Sequence, residues 1–100
     1  MSLGDLQHVV MLAVARLGPE AYGAAIRREL REVAGRRVSV PTVYVTLVRL
    51  EEQALVVSDA APPRGKGRPR RVFRLTPKGW KALEAARASL TRMWEGVARP

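Results

Sequence analysis

The most informative part of this sequence is residues 39–50, which read SVPTVYVTLVRL. Ser39 can accept a hydrogen bond from an amide of a first helical turn, and Pro41 lacks the N–H that such a turn leaves unpaired. The pattern therefore predicts a helix that is capped by Ser39. Its buried stripe is expected to comprise Val40, Val43, Leu47 and Leu50, and its outer face Thr42, Val45, Thr46 and Arg49.

Two further helices are predicted before this one. Apolar residues recur at the spacing of one helix face from Asp5 to Leu17, and Gly18 and Pro19 then stop that helix. The next helix is predicted from Tyr22 to Ala34, and Gly35 ends it. Its inner side is expected to hold Tyr22, Ile26, Leu30 and Val33, and its outer side Arg27, Arg28 and Arg31.

After residue 53 the spacing of apolar residues changes. Leu55 to Ser58 and Arg71 to Leu75 are short and contain β-branched or aromatic residues, which predicts a hairpin around the Pro- and Gly-containing loop 60–69. Thr76 and Pro77 restart a helix, whose apolar side is expected to comprise Trp80, Leu83, Ala86, Leu90, Met93 or Trp94, and Val97. The predicted fold is mainly α with a small β-hairpin, a winged helix-turn-helix with an additional C-terminal helix.

The positive charge of the chain is concentrated near its C-terminus. Residues 1–60 are neutral overall, whereas residues 61–100 hold eleven basic residues against two acidic ones and carry the entire net charge of +9. No acidic residue occurs in residues 61–75. A basic block of this kind is typical of a surface that binds a polyanion, although a basic loop that only keeps the protein in solution remains the alternative.

The composition excludes several classes of function. Without cysteine there is no disulfide, thiolate zinc site or cysteine nucleophile, and a single His8 excludes a multi-histidine metal site, so no cofactor is expected. The acidic pair Glu51 and Glu52 has no histidine beside it, which gives no reason to expect an enzyme. No apolar run approaches the about 18 residues of a membrane span, and the first residues lack the basic region of a secretory signal. We therefore expect a cytoplasmic protein without a membrane partner.

Three short helices followed by a basic hairpin suit double-stranded DNA. A helix fits the major groove, and arginines on a hairpin can follow phosphates or enter the minor groove. The candidate DNA contacts on the third helix are Ser39, Thr42, Tyr44, Val45, Thr46 and Arg49. Those on the hairpin, or wing, are Arg64, Lys66, Arg68, Arg70 and Arg71.

Four stretches carry a resemblance to one known family. They are residues 21–31, which begin AYG, residues 38–44, residues 47–52 with 55–56, and residues 67–79, which read GRPRRVFRLTPKG. In this order they resemble the PadR family of bacterial transcriptional regulators, specifically its short subfamily with a single C-terminal helix. With the first helix they span nearly the whole chain. The resemblance implies a homodimer that binds an inverted repeat in DNA and is usually a repressor relieved by a small-molecule effector.

The chain departs from the family pattern at three places. Val45 stands where members often have proline, and Val72-Phe73 where they have a tyrosine pair. Leu90 stands where some drug-sensing members have a tryptophan, and Trp94 follows one turn later. A drug site is therefore not expected to transfer directly.

The resemblance also implies which surfaces form the dimer. The first and last helices of each subunit are expected to pack together, and the last helix carries more apolar surface than a small hairpin and three helices can cover. The candidate interface residues are Leu6, Val9, Val10, Leu83, Leu90, Met93, Trp94 and Val97. Residues 1–75 are thus expected to bind DNA and residues 76–100 to dimerise, within one compact domain.

Other interpretations of the same residues remain open. A non-specific RNA-binding or architectural DNA-binding protein would share the charge, and a winged helix that docks only proteins would share the fold. Tyr44 could flank the core, Arg49 could pair with a glutamate, and Trp80 and Trp94 could be structural anchors.

Overall fold

The computed structural model describes residues 4–63, 67 and 69–100. The elements in chain order are α1 (Asp5–Leu17), a 3-10 turn (Gly18–Glu20), α2 (Gly23–Glu32), α3 (Val40–Glu52), β1 (Val56–Ala61), β2 (Arg70–Leu75) and α4 (Pro77–Trp94). This order confirms the predicted fold class, mainly α with a two-stranded antiparallel hairpin. No helix among the described residues is both long and apolar enough to cross a membrane.

Most element boundaries follow the sequence signals. Helix α1 has the predicted ends, and the side chain of Ser39 accepts a hydrogen bond from the amide of Thr42 at the start of α3. Helix α2 ends at Glu32 and α4 at Trp94, both earlier than predicted. As a result Val33, predicted to be buried, is 55% exposed, and Val97 lies beyond the last helix.

The hairpin is joined to the helices by a short third segment. Strands β1 and β2 pair from Val56 opposite Leu75 to Ala61 opposite Arg70. On its other edge β2 makes a bridge between Val72 and Tyr22, and the amide of Phe73 donates to the carbonyl of Ala21 at 2.8 Å. The residues that precede α2 therefore hold the base of the wing.

The core lies where the first three helices meet the hairpin. Its largest fully buried side chains are Met11, Ile26, Leu30, Leu47, Leu50, Val10, Val43 and Val56. Phe73 and Leu75 enter from β2, and Leu83 enters from α4. Burial of each large aliphatic side chain contributes about 1.5–3 kcal/mol, so this cluster is the main source of stability in a chain of this size.

The beginning of α4 is attached to the turn that follows α3. The hydroxyl of Thr76 accepts from the amide of Gly79 at 3.0 Å and donates to the carbonyl of Ala54 at 2.6 Å. Lys78 Nζ donates to the carbonyl of Gln53 at 2.9 Å. A Cβ on Gly79 would collide with the Leu55 carbonyl, so only glycine allows this close approach. These contacts set the direction of α4 relative to the helices before it.

The direction predicted for two residues of α3 is wrong. Val40, predicted to be buried, is 45% exposed, and Thr46, predicted to face outward, is 6% exposed. The buried side of α3 is formed by Val43, Thr46, Leu47 and Leu50. Thr46 can lie there because its hydroxyl donates to the carbonyl of Thr42 at 2.8 Å, which leaves no unpaired polar atom.

Candidate nucleic-acid interface

The outer face of α3 carries an exposed mixture of apolar and polar side chains. Thr42, Tyr44, Val45 and Arg49 are exposed, as the sequence predicts, whereas Thr46 is withdrawn from this surface. The side chain of Arg49 makes no hydrogen bond or ion pair within the described residues, so its guanidinium group is available for a ligand. An unpaired arginine beside threonine and valine is the kind of surface that reads base edges.

Val48 belongs to the same surface but is not among the predicted contacts. It is 52% exposed and lies one turn after Tyr44 and Val45. Valine alone is typical of a core position, which is why sequence reasoning missed it. Valine occurs at positions 40, 43, 45 and 48, which lie on different sides of the helix. The apolar pattern therefore does not determine which side of α3 faces the core.

Tyr44 is positioned by the beginning of α2. A Cβ on Gly23 would lie 2.6 Å from Cζ of Tyr44, so the tyrosine ring rests directly over the bare backbone of Gly23. Gly23 is buried, whereas Tyr44 remains 45% exposed. The glycine therefore allows a half-exposed phenol to lie at the junction of α2 and α3. A glycine within a predicted helix is the one sequence signal that could have indicated this contact.

Ser39 and Thr42 are linked at the beginning of α3. Their hydroxyl oxygens lie 2.8 Å apart, and the Ser39 hydroxyl also accepts from the amide of Thr42 at 3.3 Å. Both residues are exposed. Ser39 is therefore a helix cap that also lies at the edge of the candidate surface.

The predicted wing contacts fall into two groups. Arg64, Lys66 and Arg68 lie outside the described residues. Arg70 and Arg71 lie at the start of β2, where Arg71 is exposed and its side chain makes no hydrogen bond or ion pair within the described residues.

Arg70 is held by contacts within the chain. Its guanidinium carbon lies 4.7 Å from the centre of the Tyr22 ring, and its Nε donates to the Pro62 carbonyl at 3.4 Å. Its Nη1 lies 3.9 Å from the Glu20 carboxylate, which is an ion-pair distance but too long for a hydrogen bond. These contacts tie the base of the wing to the beginning of α2.

The predicted dimer residues also separate into two groups. Val10 and Leu83 are buried in the core of a single subunit, so their predicted place on the interface surface is wrong. Both belong to the core cluster in which side chains of the helices and of the hairpin meet. Leu6 and Val9 are partly buried at the edge of this core.

The distal half of α4 is much more exposed. Its large side chains Leu90, Met93 and Trp94 are 56–73% exposed, and Val97 just beyond the helix is 61% exposed. An apolar groove of about 590 Å³ runs between α1 and α4, and Leu12, Trp80, Leu90 and Trp94 lie along it. Within the described residues, no element of the chain covers this side of α4.

No group of three or more histidine, cysteine, aspartate or glutamate side chains among the described residues could hold a metal ion.

Comparison with known proteins gives consistent matches. The model of the transcriptional regulator PadR-like family matches residues 11–85. The transcriptional regulator Rv3488 of Mycobacterium tuberculosis is 43% identical over 74 residues, which cover 74% of this chain and 66% of that protein. The chain thus matches just under two thirds of the length of this relative.

Solved structures share the same fold. A PadR-like transcription factor from Bacteroides fragilis superposes with a TM-score of 0.75 at 32% identity, and the match covers 90% of this chain and 84% of that one. Bacillus subtilis PadR, solved in complex with operator DNA, superposes with a TM-score of 0.66 over 95% of this chain and 49% of that one. At 16% identity, the second likeness shows the fold alone.

Proposed function

This chain belongs to the PadR-like family of transcriptional regulators, and from that membership we propose that it is a repressor that binds an inverted-repeat operator as a homodimer. The observation that carries the proposal is the outer face of α3, with Thr42, Val45 and an unpaired Arg49 on a capped helix. A family of regulators needs a surface that reads DNA, and this face has the size and chemistry for the major groove.

The residues of this face have distinct proposed roles. Arg49 can donate two parallel hydrogen bonds to guanine, an interaction that discriminates by about 1–3 kcal/mol. Val45 and the methyl group of Thr42 suit the methyl group of thymine. Tyr44 and Ser39 lie at the margin of the face, where a hydroxyl group can bind a phosphate oxygen and fix the helix in the groove.

The wing supplies the sequence-independent part of binding. We assign phosphate contacts to Arg71 and, in the segment outside the described residues, to Arg64, Lys66 and Arg68. Arg70 is assigned a smaller direct share, because its guanidinium group already contacts Tyr22, Pro62 and Glu20. In this proposal Arg70 mainly holds the wing in position for its neighbours.

The proposed dimer is formed by α1 and the distal half of α4. Leu90, Met93, Trp94 and Val97 supply its apolar contacts, with Leu6 and Val9 at the edge. Exposed apolar surface of this kind marks an interaction site, and a second copy would cover the groove beside Trp94. In this division residues 1–75 bind DNA and residues 76–100 dimerise, within one compact unit.

A small-molecule effector completes the proposal. The groove between α1 and α4 has the volume of a ligand site, about 300–1,000 Å³, and it adjoins the proposed dimer contact. A ligand bound there would change the distance between the two copies of α3 and release the operator. The protein would act in the cytoplasm, where the chromosome of a bacterium lies.

Footprinting of the purified protein on the DNA upstream of its own gene tests this function. We expect two protected half-sites related by a two-fold axis, and lower transcription from the adjacent promoter when protein is added. Uniform coating of all DNA, or equal affinity for duplex RNA, would instead indicate a non-specific nucleic-acid-binding protein.

A further inference from the structure

Ser39 follows a pair of arginines in the sequence. Residues 36–39 read RRVS, so Arg37 lies two positions and Arg36 three positions before the serine. No other serine or threonine of the sequence has arginine at both positions, and no acidic residue occurs in residues 33–50. Protein kinases with acidic substrate pockets select serines preceded in this way, because a guanidinium group forms a bidentate pair with a carboxylate. The segment therefore has the sequence of a kinase substrate.

The fold exposes this segment outside the helices. Residues 35–39 belong to neither a helix nor a strand, and Ser39 has an extended backbone with φ −71° and ψ 155°. Arg37 and Ser39 are exposed. The side chain of Arg37 makes no hydrogen bond or ion pair within the described residues. A second protein can therefore bind the residues that precede Ser39 without unfolding a helix.

The remaining contacts of this segment are open to water. The guanidinium group of Arg36 pairs with Asp5, whose side chain is 76% exposed. An exposed ion pair contributes little, so a carboxylate of a kinase can replace Asp5. The Ser39 hydroxyl lies 2.8 Å from the hydroxyl of Thr42 and accepts from the Thr42 amide at 3.3 Å. Both residues are exposed, so the Ser39 oxygen can be reached from solvent.

The surroundings of Ser39 suit a phosphate group. Ser39 caps α3, and a negative charge is favourable beside the free amides of a first helical turn. The Nε of Arg27 donates to the carbonyl of Val38 at 2.8 Å, which holds a guanidinium group next to the residue before Ser39. Arg37 adds a further positive charge. A phosphorylated Ser39 is therefore expected to keep α3 folded.

We propose that Ser39 is phosphorylated by a serine/threonine protein kinase and that this phosphate releases the protein from DNA. The release rests on the proposed function and adds a form of regulation to it. In the reaction, a bond forms between the Ser39 oxygen and the γ-phosphorus of ATP, and the bond from that phosphorus to the bridging oxygen of ADP breaks. The hydroxyl proton passes to a carboxylate of the kinase, and ADP leaves.

The added charge lies where DNA is proposed to bind. Ser39 is at the edge of the outer face of α3, and its hydroxyl group is assigned a contact with a phosphate oxygen of DNA. Phosphorylation adds about −1.5 to −2 charges at this position. Two phosphate groups in close contact repel each other, so the modified protein binds the operator more weakly. The core and the exposed face of α4 are not altered.

Phosphorylation of the folded chain is the first test. The purified protein is incubated with Mg-ATP and either the catalytic subunit of cyclic-AMP-dependent protein kinase or an extract of its own cells. Mass spectrometry of the intact chain and its peptides should locate one phosphate, on Ser39. Ser89 is the internal control, because it is exposed but lies within α4 and follows a single arginine. No phosphate on Ser39, or modification by the purified kinase but not by the extract, would overturn the proposal.

Protection by DNA is measured in the same reaction. A saturating duplex that carries the footprinted site should slow the phosphorylation of Ser39, because two ligands that oppose each other do so reciprocally. An unrelated duplex at the same concentration is the control. Equal rates with the two duplexes would show that bound DNA does not cover Ser39, which would overturn the proposed release.

Two substitutions isolate the effect of charge from that of the helix cap. Asparagine and aspartate cap helices equally well, so Ser39→Asn and Ser39→Asp should unfold at similar urea concentrations. We expect Ser39→Asp to bind the footprinted duplex at least about tenfold more weakly than Ser39→Asn, with a difference that shrinks as salt is added. Phosphorylated wild type should bind more weakly still. Equal affinity of phosphorylated and unmodified wild type would overturn the proposal.

These outcomes separate the switch from the function on which it rests. If wild type binds no specific duplex, the proposed regulator function fails, whereas the mass measurement still decides whether Ser39 is modified. If wild type binds its site equally well with and without the phosphate, the regulator function stands and the switch fails.

Discussion

Two helices of this chain leave large apolar side chains in water, but they do so differently. The outer face of α3 exposes Tyr44, Val45 and Val48 beside threonine and an unpaired arginine. The distal half of α4 exposes Leu90, Met93 and Trp94, which border an apolar groove. A mixed face suits base edges, whereas a continuous apolar face suits another protein surface. The difference supports the proposal that α3 binds DNA and that α4 binds a second copy of the chain.

Removal of the α4 apolar side chains should have the largest effect. In a two-fold dimer, Leu90→Ser/Trp94→Ser changes the interface on both copies. Burial of each large side chain contributes about 1.5–3 kcal/mol to the free energy of association. We expect the dimer to dissociate at least about 100-fold more readily, and operator binding to fall with it. Sedimentation at micromolar concentration measures the mass, and circular dichroism checks that the exposed substitutions leave the fold intact.

The matched control for this experiment is Val45→Ser/Val48→Ser on α3. It should leave the mass of the dimer unchanged and weaken DNA binding only. Dissociation by the α3 variant, or a stable dimer in the α4 variant, would reverse the assignment of the two faces.

The packing of Tyr44 on Gly23 should have the next largest effect. Gly23→Ala introduces a Cβ against the tyrosine ring, which can swing away because it is half exposed. We expect about a fivefold loss of operator affinity, similar to that of Tyr44→Ala, because both changes remove the ring from its place. The double variant should lose no more than either single one, since residues in contact are not additive. Additive losses in duplex titrations would show that the glycine does not position the tyrosine.

Thr42 and Thr46 are like residues one turn apart on α3, of which Thr42 is exposed and Thr46 is buried. Thr46→Ala removes a buried methyl group and the hydroxyl that donates to the Thr42 carbonyl, and it should lower the free energy of unfolding by about 1 kcal/mol, with no change in base preference. Thr42→Ala should change duplex affinity at one symmetric pair of positions. Urea denaturation and binding titrations of both variants measure the two effects. A changed base preference in the Thr46 variant would mean that its burial does not persist in the bound state.

The smallest effect is expected from a substitution in the turn that follows α3, between the outer face of α3 and the distal half of α4. Ala54 has a φ of 59°, a left-handed conformation that glycine adopts without strain. Ala54→Gly should therefore raise the free energy of unfolding by about 0.5–1 kcal/mol. Operator affinity and dimer mass should not change, because the turn touches neither face. A loss of stability in urea would indicate that the extra freedom of the unfolded chain outweighs the relief of strain.

The sequence predicts the frame of this fold because its signals are local. Ser39 and Thr76 cap their helices as expected, and Gly18 follows the end of α1. The orientation of α3 is harder to predict, since valine occurs on both sides of that helix. Thr46 can be buried because its hydroxyl donates a hydrogen bond to a backbone carbonyl of the same helix. A pattern of polar and apolar residues does not reveal this bond.

The errors in the predicted dimer residues and the positive charge around α2 could not be foreseen from the sequence for another reason. An apolar residue such as Val10 or Leu83 must be covered, but the sequence does not tell whether its own chain or a second copy covers it. The charge of residues 1–60 sums to zero along the chain, and only the fold shows that Arg28 and Arg37 lie apart from the acidic residues. The burial of these apolar residues and the clustering of these arginines both depend on which helices and strands become neighbours in the fold.

Selection of bound sequences from randomised duplexes tests most directly whether α3 reads DNA in a two-fold dimer. Wild type should select an inverted repeat whose half-site centres are about 10 base pairs, or a multiple of that, apart. Arg49→Ala should lose one guanine preference at symmetric positions in both half-sites while its binding to random DNA changes little. A motif without two-fold symmetry, or the same motif from wild type and Arg49→Ala, would contradict the assignment of α3 as the reading helix.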